Sequence, residues 1–354
     1  MSKSLLKKWA IPLVGVVFTL WFASNMERVE RFYSNGFYQY ISKGVRLVAA
    51  PFPFSVGDIL YSLLIVWVGW KTIRFFKELK NNSNKLAHFR MAMFSVLWVC
   101  IIGWLVFQWC WGINYYRIGI SEQFGLQKKK PAQSEVERFA HLMLEQVNAN
   151  ASARERDKDF ALNSTRVQNA YGKLSTIHPN LHYSPVAFKS SLFGVIGNYM
   201  GYSGYFNPLS GEAQVNTHMP DFVQPFTGLH EVAHQLGYAK ESEASFIGFL
   251  AAYHSGDSTF QYSASLEMFL FAQGALYRAD STKAKALKKA LPAVAKKDLE
   301  AYRQFYLRYQ GPVDDLTTWF YTRFLKWNNQ PEGMHSYNRS MVYVLRYILD
   351  NPVK

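Results

Sequence analysis

His230, Glu231 and His234 form the string H-E-x-x-H, and two more glutamates, Glu241 and Glu243, follow Gly237. On an α-helix, residues i and i+4 share a face, so both imidazoles can converge on one divalent cation. Glu231 then falls beside the cation rather than on it. There it can take a proton from a bound water and return it to a leaving amine. Zinc suits such a site, because it lowers the pKa of bound water to about 7 and polarises a scissile carbonyl. With 9 His in 354 residues, a chance H-E-x-x-H is an event of about one in a hundred. The bland alternative is a helix with two satisfied histidines. A catalytic zinc needs a third protein ligand. Lys240, three residues past the glycine, excludes a pattern that would place His or Asp there. Glu241 and Glu243 remain as candidates.

These residues need two helices and a turn to bring them together. Thr217 or Thr227 can cap the entry to the first helix, and Gly237 is suited to end it. The stretch 241-ESEASFIGFLAAY-253 reads as a second helix, which a turn at Gly237 can fold back across the first. Upstream, 186–196, 203–210 and 211–220 are rich in Gly, Ser, Asn, Pro and aromatics and read as short strands and turns. Helices are expected at 133–149, 163–177, 227–236, 241–254, 260–279, 282–309 with a break near Pro292, 312–328 and 337–350. The pattern is α+β, mostly α.

The first third of the chain has a different texture. Residues 91–113 form an uncharged apolar run, long enough for a bilayer core that takes about 20 helical residues. Residues 55–76 form a second span and residues 9–24 a third, weaker one, read as an uncleaved anchor rather than a signal peptide. The loop from Lys71 to Arg90 holds six Lys and Arg against Glu78 alone. By the positive-inside rule this loop and the N-terminus are cytoplasmic. The expected division is a three-span anchor over 1–113 and an extracytoplasmic domain over 114–354. The protein would then be a multi-pass protein of the cytoplasmic (inner) membrane with its site on the periplasmic side.

The formal net charge is +14. Residues 1–113 hold 13 Lys and Arg against 4 Asp and Glu, so most of the excess is topology signal and contact with membrane lipid, and a nucleic-acid partner is not expected. Cys100 and Cys110 both fall in the span 91–113, so no disulfide framework supports the outer domain. The flanks of the H-E-x-x-H string are too polar, and the run 246–253 too short, for an intramembrane site.

Two resemblances add to this reading. The string from Glu241, E-x-E-A-S, is similar to the E-x-x-A-[DN] string of Glu-zincin metallopeptidases, where the first Glu is a ligand; the resemblance implies His230, His234 and Glu241 as metal ligands. In zincins an edge strand above the metal helix pairs with an extended peptide, which implies substrate binding by Glu212, Ala213, Gln214 and Val215. The strings 52-FPFSVGDILY-61, 112-GINYYR-117, 207-NPLSGEAQVN-216, 225-PFTGLHEVAHQLGYAKESEA-244 and 323-RFLKWNNQPEGMHSYNRSMVYVLRY-347 together resemble a bacterial family of membrane-anchored H-E-x-x-H proteins known only as a domain of unknown function (DUF3810-like). The expectation is a zincin-like domain with Zn2+, Glu231 as general base and acid, and a peptide or protein substrate near the membrane. A non-catalytic zinc-containing binding or assembly module of the envelope is the alternative. A hydrolase of another amide, for example in peptidoglycan, is a third.

Overall fold

The computed structural model describes residues 3–156, 164–331 and 337–350. The string 323–347 quoted above therefore lies partly outside the described residues. In chain order the elements are α1 (Lys3–Ala23), α2 (Met26–Arg28), a π-helical stretch Val29–Phe37, α3 (Tyr38–Ala49), α4 (Val56–Asn81), α5 (Lys85–Cys110), a 3-10 turn Gly112–Tyr116, α6 (Ile120–Gln123), α7 (Gln133–Arg156), α8 (Ser164–Ile177), β1 (Phe188–Ser190), α9 (Gly194–Met200), β2 (Gly204–Asn207), β3 (Glu212–Val215), α10 (Gln224–Gln235), α11 (Glu241–His254), α12 (Ser258–Ala279), α13 (Ser281–Lys289), α14 (Ala293–Tyr309), α15 (Pro312–Trp327) and α16 (Tyr337–Asp350). The protein is mostly helical with one small sheet.

Helices α4 and α5 are long and apolar enough to cross a membrane. The stretch Trp9–Ala23 meets the same test only together with Met26–Ala49, from which it is bent by 99°. Helix α1 lies parallel to α5. Trp9 packs on Phe94, and further along Phe18 and Phe22 pack on Trp109. The start of α1 therefore lies at the same end as Lys85.

The globular part is built around α10 and α11, enclosed by α7, α8, α12 and α16. Phe139, Tyr171, Phe246, Phe249 and Phe269 are fully buried there. The sheet has the order β1-β3-β2, with β1 parallel and β2 antiparallel to β3. The segment 186–196 was expected to be strand and turn, but it gives only a three-residue strand and then enters α9.

The stretch 25–57, counted with the anchor at the sequence level, packs against the globular part. Val29, Tyr33 and Tyr38 form a second apolar cluster with Trp111, Ile113, Tyr115 and Ala239. Glu30 pairs with Arg117 at 2.6 Å, and the same guanidinium donates to the carbonyl of Gly237 at 3.0 Å. At the start of α4, the Glu212 carboxylate accepts the backbone N–H groups of Val56 and Gly57 at 2.9 and 2.6 Å. A carboxylate satisfies the unpaired donors of a helix N-terminus and is stabilised by the helix dipole. The first turn of a membrane-length helix is thus fastened to the central strand of the sheet.

Candidate metal centre

Helix α10 begins at Gln224, with Pro225 in its first turn, where a missing N–H costs nothing. Thr227, expected as a cap, lies inside the helix and donates to the carbonyl of Val223; Thr217 lies before the helix, outside capping range. The helix ends at Gln235. Gly237 has φ +90°, and Tyr238 N–H returns to the carbonyl of Ala233, closing the turn with glycine in the left-handed region. The chain then reverses into α11, which crosses α10 closely. A Cβ on Gly248 would lie 3.0 Å from the backbone nitrogen of His230. A side chain there would push the His230 backbone away by a few tenths of an ångström, so glycine suits the close crossing, which brings the first turn of α11 over the histidines.

The His230 and His234 rings are 4.7 Å apart and perpendicular. Glu241 Oε2 lies 3.1 Å from His230 Nε2 and 3.6 Å from His234 Nε2. All three residues are buried, and their donor atoms lie within 4.8 Å of one another. The opposite ring nitrogens are also held. His230 Nδ1 meets Ser245 Oγ at 3.1 Å, and His234 Nδ1 meets the carbonyl of Tyr238 at 2.7 Å. A carbonyl can only accept, so the Nδ1 of His234 carries hydrogen and its Nε2 faces the shared point. Two imidazoles with anchored outer nitrogens and one carboxylate are a donor set that can hold zinc, and other divalent ions as well.

Glu243 is elsewhere. Its Oε1 accepts from the backbone N–H of Ile120 and lies 3.5 Å from Lys240 Nζ. The geometry brings Glu241, not Glu243, to the histidines. Glu241 is further held by residues that no local motif marks. The Tyr321 hydroxyl donates to its Oε1, and its backbone N–H donates to Gln330 Oε1 at 3.1 Å. Tyr321 and Gln330 are about 80 positions away in sequence, so no spacing rule could find them. Ser245, one turn past Glu241 on the same helix, could have been found from periodicity.

The electrostatics are those of opposed charges in a dry site. Burial pushes the Glu231 carboxyl up to about 8, with His234 opposing and Glu241 reinforcing the rise. Burial lowers His230. For His234 burial acts downward too, but the Glu241 carboxylate outweighs it and pushes the imidazole up to about 9. Burial would raise Glu241, yet the two imidazoles hold it well below the usual carboxylate range.

His230, Glu231, His234 and Glu241 line a cleft of about 870 Å³. The expected substrate strand needs correction. β3, carrying Glu212, Ala213, Gln214 and Val215, is the central strand, hydrogen-bonded on both sides and fully buried. It has no free edge to pair with a peptide, and Glu212 is committed to the start of α4. The strand at the cleft is β2, whose Gly204, Tyr205 and Phe206 line it. Tyr205 lines the cleft and donates to Asp58. Tyr262 donates to Asp298 and Tyr253 stacks on Phe249. His218 lies against Gly194.

A family model described as a protein of unknown function (DUF3810) matches residues 33–345. The chain belongs to this family. The match begins inside the stretch that packs beneath α10 and runs through both membrane-length helices to α16, so it covers those helices as well as the candidate metal centre. No curated protein and no solved structure matches the chain.

Proposed function

We propose that the protein is a membrane-anchored zinc metallopeptidase of the zincin type, acting on peptide bonds of envelope or membrane-proximal substrates. The observation that carries this reading is the convergence of His230, His234 and Glu241 within 4.8 Å on the wall of a large cleft, with Glu231 beside them. A structural zinc site needs neither the cleft nor Glu231.

A bound zinc would supply an acidified water and polarise the scissile carbonyl. Burial above all holds the Glu231 carboxyl up at about 8; a cation on the neighbouring ligands would favour its ionised form, which would take a proton from the bound water and pass it to the departing amine. Tyr321 keeps the Glu241 carboxylate on the histidines. β2 is an edge strand on the cleft and offers backbone groups to an extended peptide.

We place the protein in the inner membrane with three spans. The parallel packing of α1 and α5 supports this, because it puts the N-terminus and the basic Lys71–Arg90 loop on one side. The positive-inside rule makes that side cytoplasmic and the metal centre extracytoplasmic.

The test is metal content and peptide cleavage by the full chain in lipid nanodiscs, wild type against Glu231→Gln. About one zinc per chain in both is expected, with cleavage lost by roughly 10²-fold or more in the variant. Absence of stoichiometric metal removes the reading. Metal in both with cleavage by neither favours the non-catalytic binding module.

A further inference from the structure

The far side of the cleft is made by the membrane-length helix itself. Tyr61, Leu64 and Ile65 of α4 line the same cavity as His230 and Glu231. Among the described residues, the ionisable lining beyond tyrosine and the two histidines is confined to Glu231, Glu241 and Glu267, with no Lys, Arg or Asp.

Two elements border this cavity with apolar side chains turned outward. α9 is fastened to the first turn of α4, where Leu192 N–H donates to Asp58 Oδ2 at 2.6 Å. Just beyond, Leu192, Val195, Ile196 and Tyr199 are each at least half exposed. They continue the exposed apolar surface of α4 at Ile59, Leu60 and Leu63. α15 packs on α9 at one end and reaches the outer end of α5 at the other, where Phe324 meets Phe107 at 5.9 Å. One side of α15, with Thr317, Tyr321 and Phe324, lines the cleft. Its other side exposes Leu316 (57%), Phe320 (59%), Trp319 and Trp327. Arg323 lies 3.5 Å over the Trp319 ring, and Lys326 is exposed nearby.

A helix with apolar side chains on both faces has two apolar partners. One is the cleft. The other must meet α15 where α15 bridges the outer ends of two membrane spans. Aromatic side chains with adjacent Arg and Lys, at the end of a span, are the chemistry of the lipid headgroup layer. We propose that α9 and α15 lie in that layer as the lips of the cleft, so that the cavity opens sideways toward the bilayer. In combination with the metallopeptidase reading, on which this last step rests, the substrate is a polypeptide that is itself inserted in the membrane and presents an apolar segment beside its scissile bond.

The test uses the full chain with Cys100→Ser and Cys110→Ser, one copy per nanodisc. Single cysteines are introduced as Val195→Cys, Leu316→Cys and Phe320→Cys, with Lys288→Cys on the exposed side of α13 as the reference. Each is labelled with an environment-sensitive fluorophore and quenched by nitroxide lipids and by iodide. The expected result is at least threefold more nitroxide quenching at the three lip positions than at the reference, with shielding from iodide. Lip positions that match the reference overturn the proposal, because the face then stands in water. Shielding that arises only with two copies per disc overturns it too, in favour of a second chain as the occupant. Lips quenched by lipid in a protein that cleaves nothing would separate the two readings: the membrane face stands and the peptidase reading falls.

Discussion

Ser245 decides how firmly His230 is aimed. Its hydroxyl sits on the outer ring nitrogen, and loss of such a partner costs about 10–100-fold in metal affinity. Ser245→Ala is expected at the low end of that range, since water can replace a hydroxyl, and a competitive chelator titration reads it. Glu241→Gln and Glu243→Gln form the sharper pair. The first removes a donor from the centre and is expected to abolish tight zinc binding. The second leaves affinity within a few-fold, because Glu243 faces Ile120 and Lys240. The pH response follows from His234. Its imidazole holds a proton up to about 9 through the Glu241 carboxylate, and a cation must displace that proton to reach Nε2. Metal affinity is therefore expected to fall as pH drops below about 9, by about tenfold per unit for one released proton. Calorimetric titration in buffers of different ionisation enthalpy counts that proton. An affinity independent of pH between 7 and 9 contradicts the assignment.

At the scale of elements, the crossing of α10 and α11 sets the distance between histidines and glutamate. Gly248→Leu forces a side chain against the His230 backbone, and overpacking of this kind costs about 1–3 kcal/mol or more. The expected result is a lowered Tm together with weakened metal binding, measured on the same sample. This pair of helices was legible in the sequence because its information is local. Histidine spacing, the glycine turn and a carboxylate at the next helix start all lie within 230–245, and helices α7, α8 and α12 to α16 follow from their own periodicity and breaks. The strand order was not legible. Three short strands carry no sign of which is central, and the Glu212 carboxylate that betrays β3 as buried pairs with backbone 155 positions away. The stretch 25–50 was equally silent. Its buried face includes Ser34, Ser42 and Arg46, polar residues that read as surface until their partners are known. Tyr38 and Ser42 donate to the carbonyl of Gln235 at 2.9 and 2.8 Å, satisfying acceptors at the end of α10 that a helix leaves open.

For the whole molecule, those contacts argue against the division at residue 113 as a line along which the protein could be cut. A chain beginning at residue 114 loses Tyr38, Ser42 and Trp111, and with them their hydrogen bonds to the carbonyls of His234 and Gln235. It also bares Tyr115, Ala239 and Phe206, which that stretch covers, and an uncovered apolar patch of this kind favours aggregation. The truncated chain is expected to aggregate or to bind zinc at least tenfold more weakly than the full chain in lipid. Size exclusion and metal analysis decide it. A monodisperse 114–354 fragment with full metal occupancy would show that the spans are only a tether.

The Trp111 indole N–H rests on the carbonyl of His234 at 3.0 Å, one residue beyond the end of α5. Membrane helices change their tilt to match the thickness of the hydrocarbon around them. If α5 spans a bilayer as proposed, a change in its tilt would reach His234 through a single rigid ring. Lipid chain length would then be an input in its own right: a thicker or thinner bilayer would act on His234 without any molecule entering the cleft.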